Sequence, residues 1–205
     1  MPAPAYTRLN VDERRRQLLD AGAALFAEHA YEEISMRDIA RAAGVSKPLL
    51  YHYFPSKIDL FKAAVAAKAA ELQRVIEPAN QGTPIDQLTS TLDAYLGWIE
   101  ANSRAWAKLV QSAAALPEAR DLVEGFRQQT MDMALARLTH SETVRPALRT
   151  VLRGWLGYMD AAILDWTEHG DLPREDLRDL LIAAFVGALL SAQEADPRIE
   201  LDLSG

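Results

Sequence analysis

Residues 35–57 read SMRDIARAAGVSKPLLYHYFPSK, two short helical segments joined by a tight turn centred on Gly44. In the first, Ser35 can accept from the amide of Asp38 while the Asp38 carboxylate reaches back, the reciprocal arrangement of a capping box. Gly44 ends that segment, because a residue without Cβ enters the left-handed conformation that reverses the chain. Ser46 then caps the second segment, and Pro48 falls in its first turn, where no helical amide is lost. Two helices on so short a turn are the layout of a helix-turn-helix, whose second helix enters the major groove of DNA.

The side chains divide by face. Ile39, Ala40, Ala43, Val45, Leu50 and Phe54 fall at spacings that converge on one small core, while Lys47 and Tyr51, four apart, share the opposite face with Pro48 and His52. An ammonium, a phenol, an imidazole and the apolar Pro48 and Leu49 suit phosphates, base edges and thymine methyl groups. A merely solvated helix face fits the same pattern, so the flanking sequence has to decide.

Upstream, Leu18, Gly22, Leu25 and Phe26 form one stripe of a long first helix that can pack behind the two short ones. Downstream, Ser56 and Asp59 make a second capping box, with Lys57 at the start of the following helix. In order and spacing, LLDAGAALF, SMRDIARAAGVS and LYHYFPSKIDLF resemble the DNA-binding domain of the TetR family of bacterial transcriptional regulators over roughly the first 65 residues. The resemblance implies Ser35 and Lys57 as phosphate contacts, and Ser46, Lys47, Pro48, Leu49, Tyr51 and His52 as the recognition surface. Two departures stand out. Ala30 occupies a position where such proteins usually have glycine, so that bend is made without the residue suited to positive φ. Pro48-Leu49 replaces a more usual Gly-Thr pair, which favours apolar readout.

Bulk properties fit this expectation. The chain has 205 residues, 49% of them hydrophobic, and no cysteine, which leaves ample core material and excludes disulfides and any cysteine nucleophile or ligand. No run has the length of a signal peptide or a membrane span, so a cytoplasmic protein without membrane contact is expected. The net charge of -7 is unevenly shared: residues 1–62 hold 9 Lys+Arg against 8 Asp+Glu, a net of +1, leaving 13 against 21, or -8, for the rest. Phosphate attraction depends on the local face, so an acidic body does not bar DNA binding.

Past Lys62 the pattern stays helical. A fourth helix is expected from Lys57 to about Ile76, stopped by Pro78, and the segment NQGTP then reads as a loop. Thr83 caps a helix with Pro84 at its first position and Asp86 at its third, ending near Asn102. Further helices are expected over Trp106–Ala114, Pro117 to about Thr139, Val144–His169 and Arg174–Ala195, the last two joined by GDLP. The fold class is therefore all-α: an N-terminal three-helix helix-turn-helix DNA-binding domain, residues 1–62, joined by a long helix to an α-helical ligand-binding and dimerisation domain, residues 63–205.

LLIAAFVGALL, residues 180–190, is apolar on every face and so must be covered by its own domain and by something further, unless it is simply central in a monomer. The preceding helix has small residues at Gly154, Gly157 and Ala161. TetR relatives dimerise through their last two helices, which implies a homodimer interface at Gly154, Gly157, Ala161, Leu181, Phe185, Ala188 and Leu189, and an inverted-repeat double-stranded operator. Between head and final pair lie Tyr95, Trp98, Trp106, Phe126, Met131, Met133, Trp155 and Tyr158. Aromatic and methionine residues at helical spacing commonly just pack, but the resemblance implies a pocket there for a small effector, and its lining suits a hydrophobic or aromatic one.

No enzymatic signature competes. His29, His52, His140 and His169 are dispersed, and no HExxH, GxSxG or phosphate loop occurs, so no catalytic residue, metal site or cofactor is expected. The expected function is a DNA-binding regulator, a repressor released by its effector. A ligand-independent structural or division-associated DNA-bound factor with a protein partner is the alternative.

Overall fold

The computed structural model describes residues 10–76, 82–139 and 144–201. Among them the chain is wholly helical: α1 Val11–Glu28, a 3-10 turn Tyr31–Glu33, α2 Met36–Ala42, α3 Lys47–Tyr53, α4 Lys57–Ile76, α5 Pro84–Ala101, α6 Ser103–Ala115, α7 Pro117–Leu138, α8 Pro146–His169 and α9 Arg174–Ala195. Pro78, Asn80, Gln81 and His140 lie outside the described residues. The reciprocal caps form at Ser35–Asp38 and at Thr83–Asp86, and a third, Asn10–Glu13, starts α1. α6 begins three residues earlier than expected, because Asn102 both ends α5 and leads directly into α6. α8 begins at Pro146, two residues late, with proline in the first helical position that best tolerates its missing amide.

The head is built around one core in which Leu18, Ile39, Leu50 and Leu60 are fully enclosed. Gly22 lets α1 and α4 approach so closely that a Cβ there would stand 2.9 Å from Leu60 Cδ2. Gln17 Nε2 donates to the Ala43 carbonyl at 2.9 Å, tying α1 to the end of α2. Gly44 has φ +66°, the left-handed conformation that its turn needs. Ala30 has φ −63° and ψ 146°, so the bend after α1 needs no positive φ and alanine is unstrained there. The core extends past residue 62 to Ala64 and takes in Ala119 of α7, with Leu109, Leu116 and Leu122 packed against it.

The second core gathers α5, α7, α8 and α9 around Leu96, Ile99, Leu152, Ile163, Leu177, Leu181 and Leu189. Two of its indoles are satisfied from within, Trp155 Nε1 donating to the Leu181 carbonyl at 3.0 Å and Trp166 Nε1 to that of Leu172 at 2.7 Å, whereas Trp106 Nε1 is buried with no partner among the described residues. Gly170, at φ +63°, closes α8 in the left-handed conformation and begins the turn into α9. α4 is held to α5 by polar contacts. Lys68 Nζ donates to Asn102 Oδ1 at 3.3 Å and Trp98 Nε1 to Glu71 Oε1 at 3.2 Å, while within α4 Lys68 Nζ also donates to Glu71 at 2.8 Å. These contacts hold the Glu71 carboxyl below the usual range, the Lys68 hydrogen bond contributing most.

Three residues expected at a subunit interface lie elsewhere. Leu181, Phe185 and Leu189 are buried in their own core, at 0%, 7% and 2% exposure, because they form the stripe of α9 that meets α8. The outward side of α9 carries Leu180, Ala183, Gly187 and Leu190 instead.

Candidate nucleic-acid interface

The Ser46 hydroxyl accepts from the Leu49 amide at 3.4 Å and so starts α3. Leu50 on the inner side anchors the helix to the core, and Lys47, Pro48, Tyr51 and His52 are left exposed on the outer side, with Leu49 half-buried beside them. The Lys47 ammonium lies 5.5 Å from the centre of the Tyr51 ring, a cation–π pair one helical turn apart. Tyr53 is half-buried against the head core, and its ring meets that of His52 edge-on.

Beside α3 lies an open cleft of about 720 Å³ whose walls include Ser35, Arg37, Asp38, Arg41, Lys47, Tyr51 and Lys57. Arg37 and Arg41, four apart on exposed positions of α2, add two cations that the sequence reading passed over, although their spacing alone places them on one helical face. The Asp38 carboxyl is held below the usual range, chiefly by hydrogen bonds from the Ser35 hydroxyl and amide, and Arg41 lies 3.4 Å away. The surface offers phosphates three unburied cations and offers base edges a phenol and an imidazole.

Ser35 and Lys57 are engaged within the protein. The Ser35 hydroxyl donates to Asp38 Oδ2 and accepts from the Asp38 amide. Lys57 Nζ donates to the carbonyls of Tyr31 at 2.7 Å and Ile34 at 2.8 Å.

The aromatic set between head and final pair is divided. Tyr95 and Trp106 meet edge-on at 6.2 Å, and both pack against the second core with Trp98. Burial, and secondarily the charge of Asp160, raises the Tyr95 phenol well above its usual value. Asp160 pairs with Arg127 of α7, whose Nε donates to it at 2.8 Å. Met131 is buried and Phe126 half-buried. Trp155 is stacked edge-on against Phe185 at 4.8 Å. Tyr158 and Met133 are each 40% exposed, and Tyr158 lines a shallow apolar groove between α8 and α9 with Val151, Gly154, Trp155, Ala184 and Ala188.

Two family models match the chain: "Bacterial regulatory proteins, tetR family" over residues 18–64, and "Tetracyclin repressor-like, C-terminal domain" over residues 84–188, which is half of its length. The chain belongs to the TetR family of bacterial regulatory proteins. As a TetR-family protein it is a helix-turn-helix transcriptional regulator and not an enzyme. It is similar to a tetR-family transcriptional regulator of known structure from Streptomyces coelicolor, with 28% identity, a TM-score of 0.77, and 92% of this chain and 86% of that one covered. It is 28% identical to the transcriptional repressor DhaR of Mycobacterium sp., over 92% of this chain and 86% of DhaR. To the transcriptional activator FasR of Mycolicibacterium smegmatis it is 34% identical over 107 residues, so the match spans about half of either protein, 51% of this one and 49% of FasR.

In this TetR-family chain the outward side of α8 and α9 is exposed among the described residues. A Cβ added at Gly154, Gly157 or Gly187 would meet nothing within 4 Å, and Ala161 is exposed on the same side. Tyr158, Leu180 and Leu190 are 40%, 49% and 59% exposed there, large apolar side chains that the sequence reading had not assigned to this side. No described helix is long and apolar enough to cross a membrane.

Proposed function

We propose that this protein is a homodimeric transcriptional repressor of the cytoplasm that binds an inverted-repeat operator and releases it when a small hydrophobic or aromatic effector occupies the body. Residues 1–62 form the reading domain in this proposal and residues 63–205 the effector and dimerisation domain. The observation that carries it is the exposed face of α3, Lys47, Pro48, Tyr51 and His52, flanked by Arg37 and Arg41 across an open cleft. Such a face combines phosphate-positioning cations with base-reading side chains, and a lone copy reads only one half-site.

The dimer is supported by the unpartnered side of α8 and α9, where glycines permit close helix approach and Tyr158, Leu180 and Leu190 offer apolar area. The repressor sign is supported by the likeness to DhaR, named a repressor, over most of both chains. The effector region centres on Tyr95, Trp98, Trp106, Phe126 and Met131, with Trp155 at its edge. Occupancy there acts on DNA only if the effector prefers one of two arrangements of the heads. Footprinting on the protein's own promoter tests the proposal: a protected inverted repeat, lost on adding a compound that also raises the melting temperature, is the expected result. Protection of a single half-site, or of none, overturns it.

A further inference from the structure

The chain has four tryptophans, and three of their indole N–H groups meet acceptors: Trp98 meets Glu71, Trp155 the Leu181 carbonyl and Trp166 that of Leu172. Trp106 differs. Its Nε1 is buried and has no hydrogen-bond partner among the described residues, so it has lost water and gained nothing in exchange, a state that few buried polar groups occupy. Trp106 belongs to α6 and packs against the body core, its ring edge-on to that of Tyr95 at 6.2 Å. The orphaned donor thus sits within the group proposed to receive the effector. An indole N–H donates and never accepts, so whatever satisfies it must bring an acceptor. A hydroxyl would also bring a proton needing its own partner in a dry site, whereas a carbonyl oxygen brings none. Charge narrows the choice further. The charge of Asp160 reaches Tyr95, and burial keeps the Tyr95 phenol protonated, its pKa far above the usual value. An anion entering here would meet the Asp160 carboxylate, and Arg127 beside it is already shared between Asp160 at 2.8 Å and Glu124 at 3.6 Å.

We infer that the effector is a neutral, mainly apolar molecule whose carbonyl oxygen, of the ketone or ester kind, accepts the hydrogen bond of Trp106 Nε1. The inference rests on the reading of Tyr95, Trp98, Trp106 and their neighbours as the effector region. A hydrocarbon of the same shape leaves the donor unpaired, and a site that offers a buried hydrogen bond discriminates strongly against a ligand unable to take it. Trp106 also stands where the head can feel occupancy. Leu109, one turn further along α6, packs against the head core, so a ligand that fixes Trp106 acts on a helix that both cores share.

The test uses the full-length protein and matched sets of probes: apolar ketones such as benzophenone, their methylene analogues such as diphenylmethane, and carboxylates on the same aryl skeleton such as diphenylacetate. Compounds that raise the melting temperature are titrated for affinity. Ketones should bind about tenfold more tightly than their methylene analogues, and W106F should abolish that difference by weakening the ketones alone. Because the free protein makes no hydrogen bond there, W106F loses none on folding. Heteronuclear NMR of isotope-labelled indoles gives a second measurement that needs only the parent to be folded, with W106F serving solely to assign the peak. The Trp106 N–H signal should move downfield with a bound ketone and not with its methylene analogue, while the Trp155 and Trp166 signals stay in place. Equal affinity for ketone and methylene analogue, tighter binding of carboxylates, a ketone preference that survives in W106F, or a Trp106 signal unmoved by a bound ketone overturns the inference. Stabilisation by hydrocarbons or carboxylates alone keeps the effector reading and sinks the acceptor. A parent stabilised by none of the three classes counts against both.

Discussion

Gly22 and Leu60 occupy adjoining space that has no room for one more carbon. A Cβ on residue 22 would stand 2.9 Å from Cδ2 of a leucine that is itself fully enclosed, so the α1–α4 crossing depends on a missing side chain. Gly22→Ala gains about 1 kcal/mol of helix propensity, and the overpacking of an enclosed core costs about 1–3 kcal/mol. The expected net effect is a lower melting temperature. Gly125→Ala, in α7 where an added Cβ meets nothing within 4 Å, keeps the propensity gain alone and should raise it. Thermal unfolding of the two variants beside the parent decides the matter, and equal shifts would mean that the crossing is looser than described.

The reading face and the core behind it should respond to mutation in opposite ways. Lys47→Ala and Tyr51→Ala alter exposed side chains paired with each other across 5.5 Å, so they should weaken operator binding while leaving thermal unfolding near that of the parent. Leu50→Ala, one position from Tyr51 but fully enclosed, should cost about 2–5 kcal/mol of stability. Gel-shift titration and thermal melts on the same preparations distinguish the two classes. A Tyr51→Ala protein with parental DNA affinity is the contrary outcome.

Self-association can be probed where the fold has nothing to lose. Gly157 is exposed and no atom lies within 4 Å of an added Cβ, so Gly157→Arg should fold as the parent does yet sediment as a monomer. Native mass spectrometry gives the answer directly. A persistent dimer would move the interface away from α8.

His169, at the end of α8, points Nδ1 at the Asp165 carbonyl at 3.0 Å. That hydrogen bond, then the charge of Asp165, raises its pKa above the usual 6.5. The protonated ring is therefore favoured in the folded state. Its contribution is full below about 6.5 and fades as pH rises through the higher folded value. Asp165→Asn should reduce this pH dependence while keeping the carbonyl contact. Melting temperatures taken from about pH 5 to about pH 9, a range spanning the histidine transition, will show parent and variant converging at the alkaline end. Divergence there instead would mean that the sign is wrong.

What could be read from the chain was local. Ser35–Asp38 and Thr83–Asp86 place cap and partner three residues apart, and Gly44 must accept a left-handed turn wherever the rest of the protein lies, so sequence alone locates these features. The orientation of α9 was not local. Residues 180–190 are apolar all round, and such a helix has no phase in its sequence; only the packing of α8 turns Leu181, Phe185 and Leu189 inward and Leu180 and Leu190 outward. The exposure of Tyr158 beside the α8–α9 groove was illegible for the same reason, since an aromatic residue beside small ones suits a cavity wall and an open face equally well. Lys57 shows the same limit for charge. A lysine at a helix start has the same appearance in sequence whatever it faces, and here its acceptors come from residues 23 and 26 positions away.

The head core closes over a piece of the body: Ala119 is completely enclosed there, and Leu109, Leu116 and Leu122 pack beside it. Exchange of reading heads between relatives therefore cannot be a simple cut through α4. A chimaera joined within that helix keeps the donor's α1–α4 but inherits the recipient's α6–α7 corner, and the two surfaces will not interlock unless those four residues travel with the head. Grafting them together should yield a stable hybrid with transplanted sequence preference, and that makes the corner the natural unit for engineering this regulator.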